Sequence, residues 1–233
     1  MKHRISAKTA SAAAVAAMLV VLAPTAASAA PRPKVATSTQ YAGWALPHPP
    51  SVTSAGTTFI VPNLTCTATN ATVVPGVGVV VPGSIIASGV ALSCSGGRPL
   101  FMAETDIRGV VTPLPVPVRP GDKIITSLNV NPTLTTGMFA DVTRGFSVPI
   151  RGRGGLASLT CVGIDGTHQS PVANPVPNFG HIVFTATTID GRPIGSLPVV
   201  RINMATSTGV LQISTGPIGP TPTMFTSTFV NIG

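Results

Sequence analysis

The chain carries only six carboxylates in 233 residues, so the candidates for acid–base chemistry are few. Two of them, Glu104 and Asp106, alternate with apolar neighbours in the run Leu100 to Ile107. In a strand that spacing turns both side chains to one face. Two carboxyls on one face can raise a pKa and leave one as a general acid. The same spacing also describes two solvent-facing strand residues. Asp165 and His168, with Gln169 beside them, have the types for an acid–imidazole pair. Their setting around Gly166 is polar and reads first as a solvated turn. Cys161 sits in the apolar stretch Leu159 to Ile164, where a lone thiol is a buried small hydrophobe sooner than a nucleophile.

Other chemistry is missing from the pattern. There is no metalloprotease helix motif, no paired-cysteine zinc motif and no phosphate-binding loop. Gly76-Val77-Gly78 lacks the further glycine and the helix that would aim backbone donors at phosphate. No Gly-x-Ser-x-Gly elbow presents a hydrolase serine. No metal and no cofactor are expected.

The elements that must position these residues read as strands. Val and Thr favour a pleated surface, and 24 Gly with 24 Pro supply turns. Strand-like runs are Gly56 to Pro62, Thr72 to Val81, Ile85 to Ser93, Leu100 to Ile107 and Lys123 to Val130. Further runs are Met138 to Thr143, Phe146 to Ile150, Leu156 to Ile164 and His181 to Thr187. Three more follow, near Val199 to Met204, Val210 to Ser214 and Met224 to Val230. Pro75-Gly76 and Pro82-Gly83 are expected to break the second run into short pieces. Thr112 to Pro120 and Ser170 to Pro177 read as connecting loops. Many short strands at even spacing, with no helical period after residue 30, predict an all-β sandwich or barrel.

The ends and totals place the chain. Lys2, His3, Arg4 and Lys8 precede an apolar run from Ala12 to Ala23, and Ala27-Ser28-Ala29 has the small residues of a cleavage site. Residues 1–29 are thus expected to be a signal peptide, 30–39 a flexible leader and 40–233 one domain. The expected location is outside the cell or in its envelope, with no integral membrane segment after cleavage. Removing the signal leaves 11 basic and 6 acidic residues, without the clustered basic stripe that nucleic acid requires. Of the three cysteines, Cys66 and Cys94 are the better pair, each beside a turn signal at the end of a candidate strand. Such a bridge contributes about 3 kcal/mol, and Cys161 remains as the free thiol.

Over residues 38–232 the order of motifs resembles the secreted glutamic peptidases, or eqolisins. Gln40-Tyr41-Ala42-Gly43-Trp44 is similar to the family's opening segment, and Thr58-Phe59-Ile60-Val61-Pro62 to its strand ending in Val-Pro. Thr65-Cys66, Cys94-Ser95-Gly96-Gly97 and Pro120-Gly121-Asp122 follow in family order. So do Asp141-Val142-Thr143-Arg144-Gly145-Phe146 and Asn178-Phe179-Gly180. The resemblance implies a concanavalin-like β-sandwich of two antiparallel sheets. It also implies acid endopeptidase chemistry, in which a glutamate activates water and a glutamine stabilises the oxyanion.

The residues depart from the family where that chemistry sits. Its glutamine position, counted back from Cys94 through Gly89 and Ser88, falls on Ala87. Its glutamate segment aligns with Ala157-Ser158-Leu159-Thr160-Cys161-Val162, which puts Ser158 or Val162 in place of the acid. Residues 146–233 contain no Glu at all. The family's groove tryptophan becomes Val74, and its Trp-Tyr-Glu segment becomes Glu104-Thr105-Asp106. Trp44, Val74, Glu104 and Asp106 are therefore the candidate groove residues. The expectation is a monomeric, non-catalytic homologue that binds a peptide, glycan or envelope component in the former substrate groove. The alternative is an active acid endopeptidase or other hydrolase with a relocated site, using Glu104, Asp106 or Asp165 with His168.

Overall fold

A computed structural model of the protein describes residues 34–47, 53–67, 70–166 and 175–231. The expected signal peptide and His168 lie outside the described residues. Sixteen strands follow in order. The first eight are β1 (Val35–Ser38), β2 (Tyr41–Pro47), β3 (Thr53–Ile60), β4 (Asn70–Val81), β5 (Ser84–Ser95), β6 (Arg98–Ile107), β7 (Val110–Pro113) and β8 (Lys123–Val130). The rest are β9 (Leu134–Asp141), β10 (Phe146–Arg153), β11 (Leu159–Asp165), β12 (His181–Ile189), β13 (Arg192–Pro193), β14 (Val200–Ala205), β15 (Leu211–Thr215) and β16 (Phe225–Phe229). Among the described residues there is no α-helix, only a single 3-10 turn at Ile194–Ser196.

The strands hydrogen-bond in one path, β10-β9-β8-β3-β12-β16-β15-β14-β2-β11-β4-β5-β6-β7. This path folds over on itself, and β14 carries an irregularity between Met204 and Ala205. β3 and β8 then lie across β11, β4 and β5. Two polar contacts pin the layers: Thr53 Oγ1 and Thr160 Oγ1 are 3.1 Å apart, and Thr126 donates to Ser88 Oγ at 2.8 Å. The result is the expected all-β sandwich, its path antiparallel throughout; only β1, off that path, pairs parallel, with β14.

Alternation builds the core. In β8, Ile124, Thr126, Leu128 and Val130 are buried while the intervening residues are not. β12 breaks its alternation at a bulge between Thr185 and Thr188, where Ala186 has φ 49°. The extra residue lets Ile182 and Phe184 on one side and Thr187 and Ile189 on the other all turn inward. Phe184 stacks on Phe225 at 4.7 Å and meets Phe59 at 5.7 Å, which centres the apolar layer.

Three expectations are corrected. The flexible leader holds strand β1, which docks on Arg201–Met204 of β14. Thr112 belongs to β7 rather than to a loop. The Pro75-Gly76 turn does not form, and β4 runs straight through it. Proline there gives up one ladder donor, while Gly76 lets the strand lie against Gly89 with no Cβ between them. Tertiary packing overrides the local turn signal.

Both ends of the path carry a proline. Leu114 N–H bonds to Ala103 O and Gly154 N–H to Thr133 O, which sets the ladder parity of the two edge strands. By that parity Pro113 of β7 and Pro149 of β10 present their nitrogen to the open edge, where a missing donor discourages further pairing.

Candidate functional site

The sheet containing β2, β11, β4, β5 and β6 has two unlike faces. Inward it sends Ala42, Trp44 and Leu46, then Val162 and Ile164, Val77 and Val79, Ile86 and Val90, all buried. Outward, strand register aligns two rows. One row runs Ala45, Cys161, Gly78, Ala87, Asp106 and Val111. The neighbouring row runs Gly43, Gly163, Gly76, Gly89 and Glu104. Cys161, Gly78, Ala87 and Asp106 of the first row and Gly163, Gly76, Gly89 and Glu104 of the second line a cleft with Tyr41, Val74 and Asp165. The cleft continues past Ile85 and Leu159 towards Ser38 and Gln40.

Four glycines in successive strands have a steric cause. A Cβ on Gly76 would run into the Ser88 carbonyl, and one on Gly89 into the Pro75 carbonyl. Gly43, at φ 152°, and Gly163 lie under the Tyr41 phenol, whose oxygen fills the place a Cβ would take. The Tyr41 hydroxyl donates to Trp44 O at 3.2 Å. An aromatic side chain laid over glycines in this way restores the packing the glycines omit.

The polar groups of the cleft differ in state. Burial pushes the Cys161 thiol far above its ordinary pKa, and the Asp165 charge pushes it the same way. The thiol therefore stays protonated and is a poor nucleophile. Burial likewise raises the Tyr41 phenol well above its usual value, helped by Cys161 and Asp165. Asp106 is 4% exposed and accepts from Gly109 N–H at 2.7 Å, closing the turn to β7. Among the described residues no three His, Cys, Asp or Glu side chains gather as metal ligands would.

The structure places each expected site residue. Ala87, Val74, Glu104 and Asp106 line one cleft. Trp44 does not: it is fully buried in the core. The reason is parity, because Trp44 shares a face with Ala42 and Leu46, and it is Tyr41 that β2 contributes to the cleft. Val162 is likewise a core residue, and Ser158 sits ahead of β11 with its hydroxyl on Val80 O. It is Cys161 that shares the row of Ala87. The disulfide joins Cys66 to Cys94, and Cys161 is free and buried. Asp165 ends β11 and lines the cleft.

Three solved structures share the layout of the strands. Scytalido-glutamic peptidase, bound to a transition-state analogue inhibitor, superposes with a TM-score of 0.67 at 15% identity. A second structure of it, with a peptide-based transition-state analogue, gives 0.66 at 16%. SCP-B, a member of the eqolisin family of peptidases in complex with the tripeptide Ala-Ile-His, gives 0.65 at 16%. Each match covers 82% of this chain and 100% of the other. The fold is the eqolisin fold. At this identity the likeness establishes the eqolisin-like sandwich and leaves activity to the site itself. No protein-family model matches the chain, and no curated protein sequence does.

Proposed function

We propose that this is a secreted, monomeric, eqolisin-like protein that binds an extended peptide in the cleft without hydrolysing it. The observation that carries the reading is the row through Ala87. A methyl, a hydrogen and a protonated thiol stand side by side at Ala87, Gly78 and Cys161, where water activation and oxyanion binding would need a base and a donor, and the row's carboxylate, Asp106, is buried and accepts from the Gly109 N–H. Ala87 has no side-chain hydrogen-bonding atom. A glycine floor bordered by Val74, Ala87, Glu104, Asp106 and Asp165 still suits a polymer lying across the strands. Peptide is preferred over glycan because SCP-B, on the same fold, holds a tripeptide.

Secretion is supported by the signal-like N-terminus and by the Cys66–Cys94 bridge, which persists in an oxidising compartment. No described helix is long and apolar enough to cross a membrane. The monomer is supported by the prolines at both open edges. Hydrogen exchange on residues 30–233, with and without a denatured polypeptide, tests the binding. Slowed exchange in β4, β5 and β11 is the expected result; protection elsewhere, or none, refutes the cleft as the binding site.

One observation favours a second reading, a relocated hydrolase. Glu104, Asp106 and Asp165 line the same cleft as Tyr41. If these acids turn over substrate, Asp106→Asn or Asp165→Asn abolishes product without lowering the melting temperature.

A further inference from the structure

The two outer faces of the sandwich differ in charge. Glu104, Asp106 and Asp165 line the cleft on one of them. On the other sheet, parity turns Thr126, Phe139 and Ile150 inward and leaves Lys123, Arg151 and Arg153 among the outward positions of β3, β8, β9 and β10. Those outward positions hold no Asp or Glu. The acids of that sheet and its turns are engaged: Asp122 and Asp141 are buried against Arg144, and Asp190 accepts from Ser54 N–H at 2.8 Å. Arg151 and Arg153 stand two residues apart on the edge strand β10, both exposed. Among the described residues neither guanidinium is held by a hydrogen bond or an ion pair. Register continues from Arg151 through Thr136 and Asn129 to Ser54, one polar residue from each strand. Gly56, Ser127 and Thr188 line a depression together with Asn129 and Ser54 of that row.

We infer that this face binds an acidic polysaccharide, with carboxylates on Arg151 and Arg153 and sugar hydroxyls along Thr136, Asn129 and Ser54. The inference is independent of the peptide cleft, which lies on the opposite sheet. Charge complementarity carries it. A guanidinium takes a carboxylate in a bidentate pair. Two of them on one strand face start about 7 Å apart, so neighbouring acidic units of one chain can meet one each. A single exposed ion pair is weak. The ligand this surface favours is therefore a polymer that presents several carboxylates at once. The hydroxyl and amide side chains of the row both donate and accept, as sugar hydroxyls do. No Phe, Tyr or Trp occupies an outward position of these four strands, so a nucleic acid would find no ring for its bases to stack on.

The test measures the affinity of the purified protein for an oligogalacturonate and for a neutral dextran of like length, each captured on a sensor surface. The oligogalacturonate is expected to bind, about fivefold or more weaker at high salt than at low, and the dextran not to bind. The double variant Arg151→Gln, Arg153→Gln is expected to weaken the oligogalacturonate by about tenfold or more. A second double variant, Lys34→Gln, Arg98→Gln, removes the same charge from exposed positions outside this face and is expected to change the affinity by less than about twofold. Circular dichroism checks both folds, and the comparison of the two sugars needs no variant. Equal losses in the two variants would mean that diffuse charge does the binding, and overturn the assigned face. Dextran binding of equal strength, no binding of either sugar, or binding of anionic lipid vesicles without the oligogalacturonate overturns the ligand class.

Discussion

The two faces of the sheet β2-β11-β4-β5-β6 are made by the same strands and obey opposite rules. On the core face each strand supplies bulk: Trp44, Val162, Val77, Val90. One residue along, the outer face supplies its absence: Gly43, Gly163, Gly76, Gly89. A period of two lets one strand serve both demands. The stability of the molecule therefore resides on one face and its candidate chemistry on the other. Changes on the core face should act on stability alone, whereas changes on the outer face should act on binding as well.

The largest effect is expected on the core side. Trp44→Ala should cost roughly 3–5 kcal/mol through cavity formation, read as a lower midpoint in chemical denaturation. A loss under about 1 kcal/mol would mean that Trp44 does not anchor the core. Removing the bridge by Cys66→Ser and Cys94→Ser should cost about 3 kcal/mol and leave peptide binding intact. Next comes the outer face. Gly76→Val puts side-chain atoms against the Ser88 carbonyl and Gly89. It should destabilise by about 1–3 kcal/mol and abolish binding in the cleft, whereas a core variant of equal stability should still bind.

Smaller effects sharpen the contrast. Cys161 should resist alkylation in the native protein and react once unfolded, since burial holds its thiol protonated. Rapid native labelling would place it in solvent. Away from both faces, burial alone would raise the Asp122 carboxyl, but Arg144 and the Arg119 N–H outweigh it and hold the pKa low. A carboxyl lowered in the folded state adds stability that is present above its unfolded pKa and lost as pH falls through the folded one. Asp122→Asn should therefore lose melting temperature at neutral pH and converge on the parent protein as the pH drops below the usual carboxylate range.

Much of the fold was legible from residue types. Runs such as Lys123 to Val130 and Leu100 to Ile107 alternate clearly, and the pairing of Cys66 with Cys94 followed from turn signals. β2 escaped notice because Gly43, Ala45 and Pro47 dilute its β-propensity. The continuity of β4 escaped because Pro75-Gly76 is a strong turn signal that only Gly89 and Gly163, far along the chain, can override. Motif order grouped Trp44 with Val74, Glu104 and Asp106, but only the last three line one cleft. Trp44 was a groove candidate through the resemblance alone, and one step of parity sends it inward. The row of glycines was invisible for the same reason: 43, 163, 76 and 89 become neighbours only once register is known.

The central claim is a peptide groove without hydrolysis. Purified residues 30–233 should be incubated with a denatured protein across acid and neutral pH, and new peptide termini sought by mass spectrometry. The account predicts none at any pH. New termini that co-purify with the protein and vanish in Asp106→Asn or Asp165→Asn would contradict it and place a working active site in the cleft.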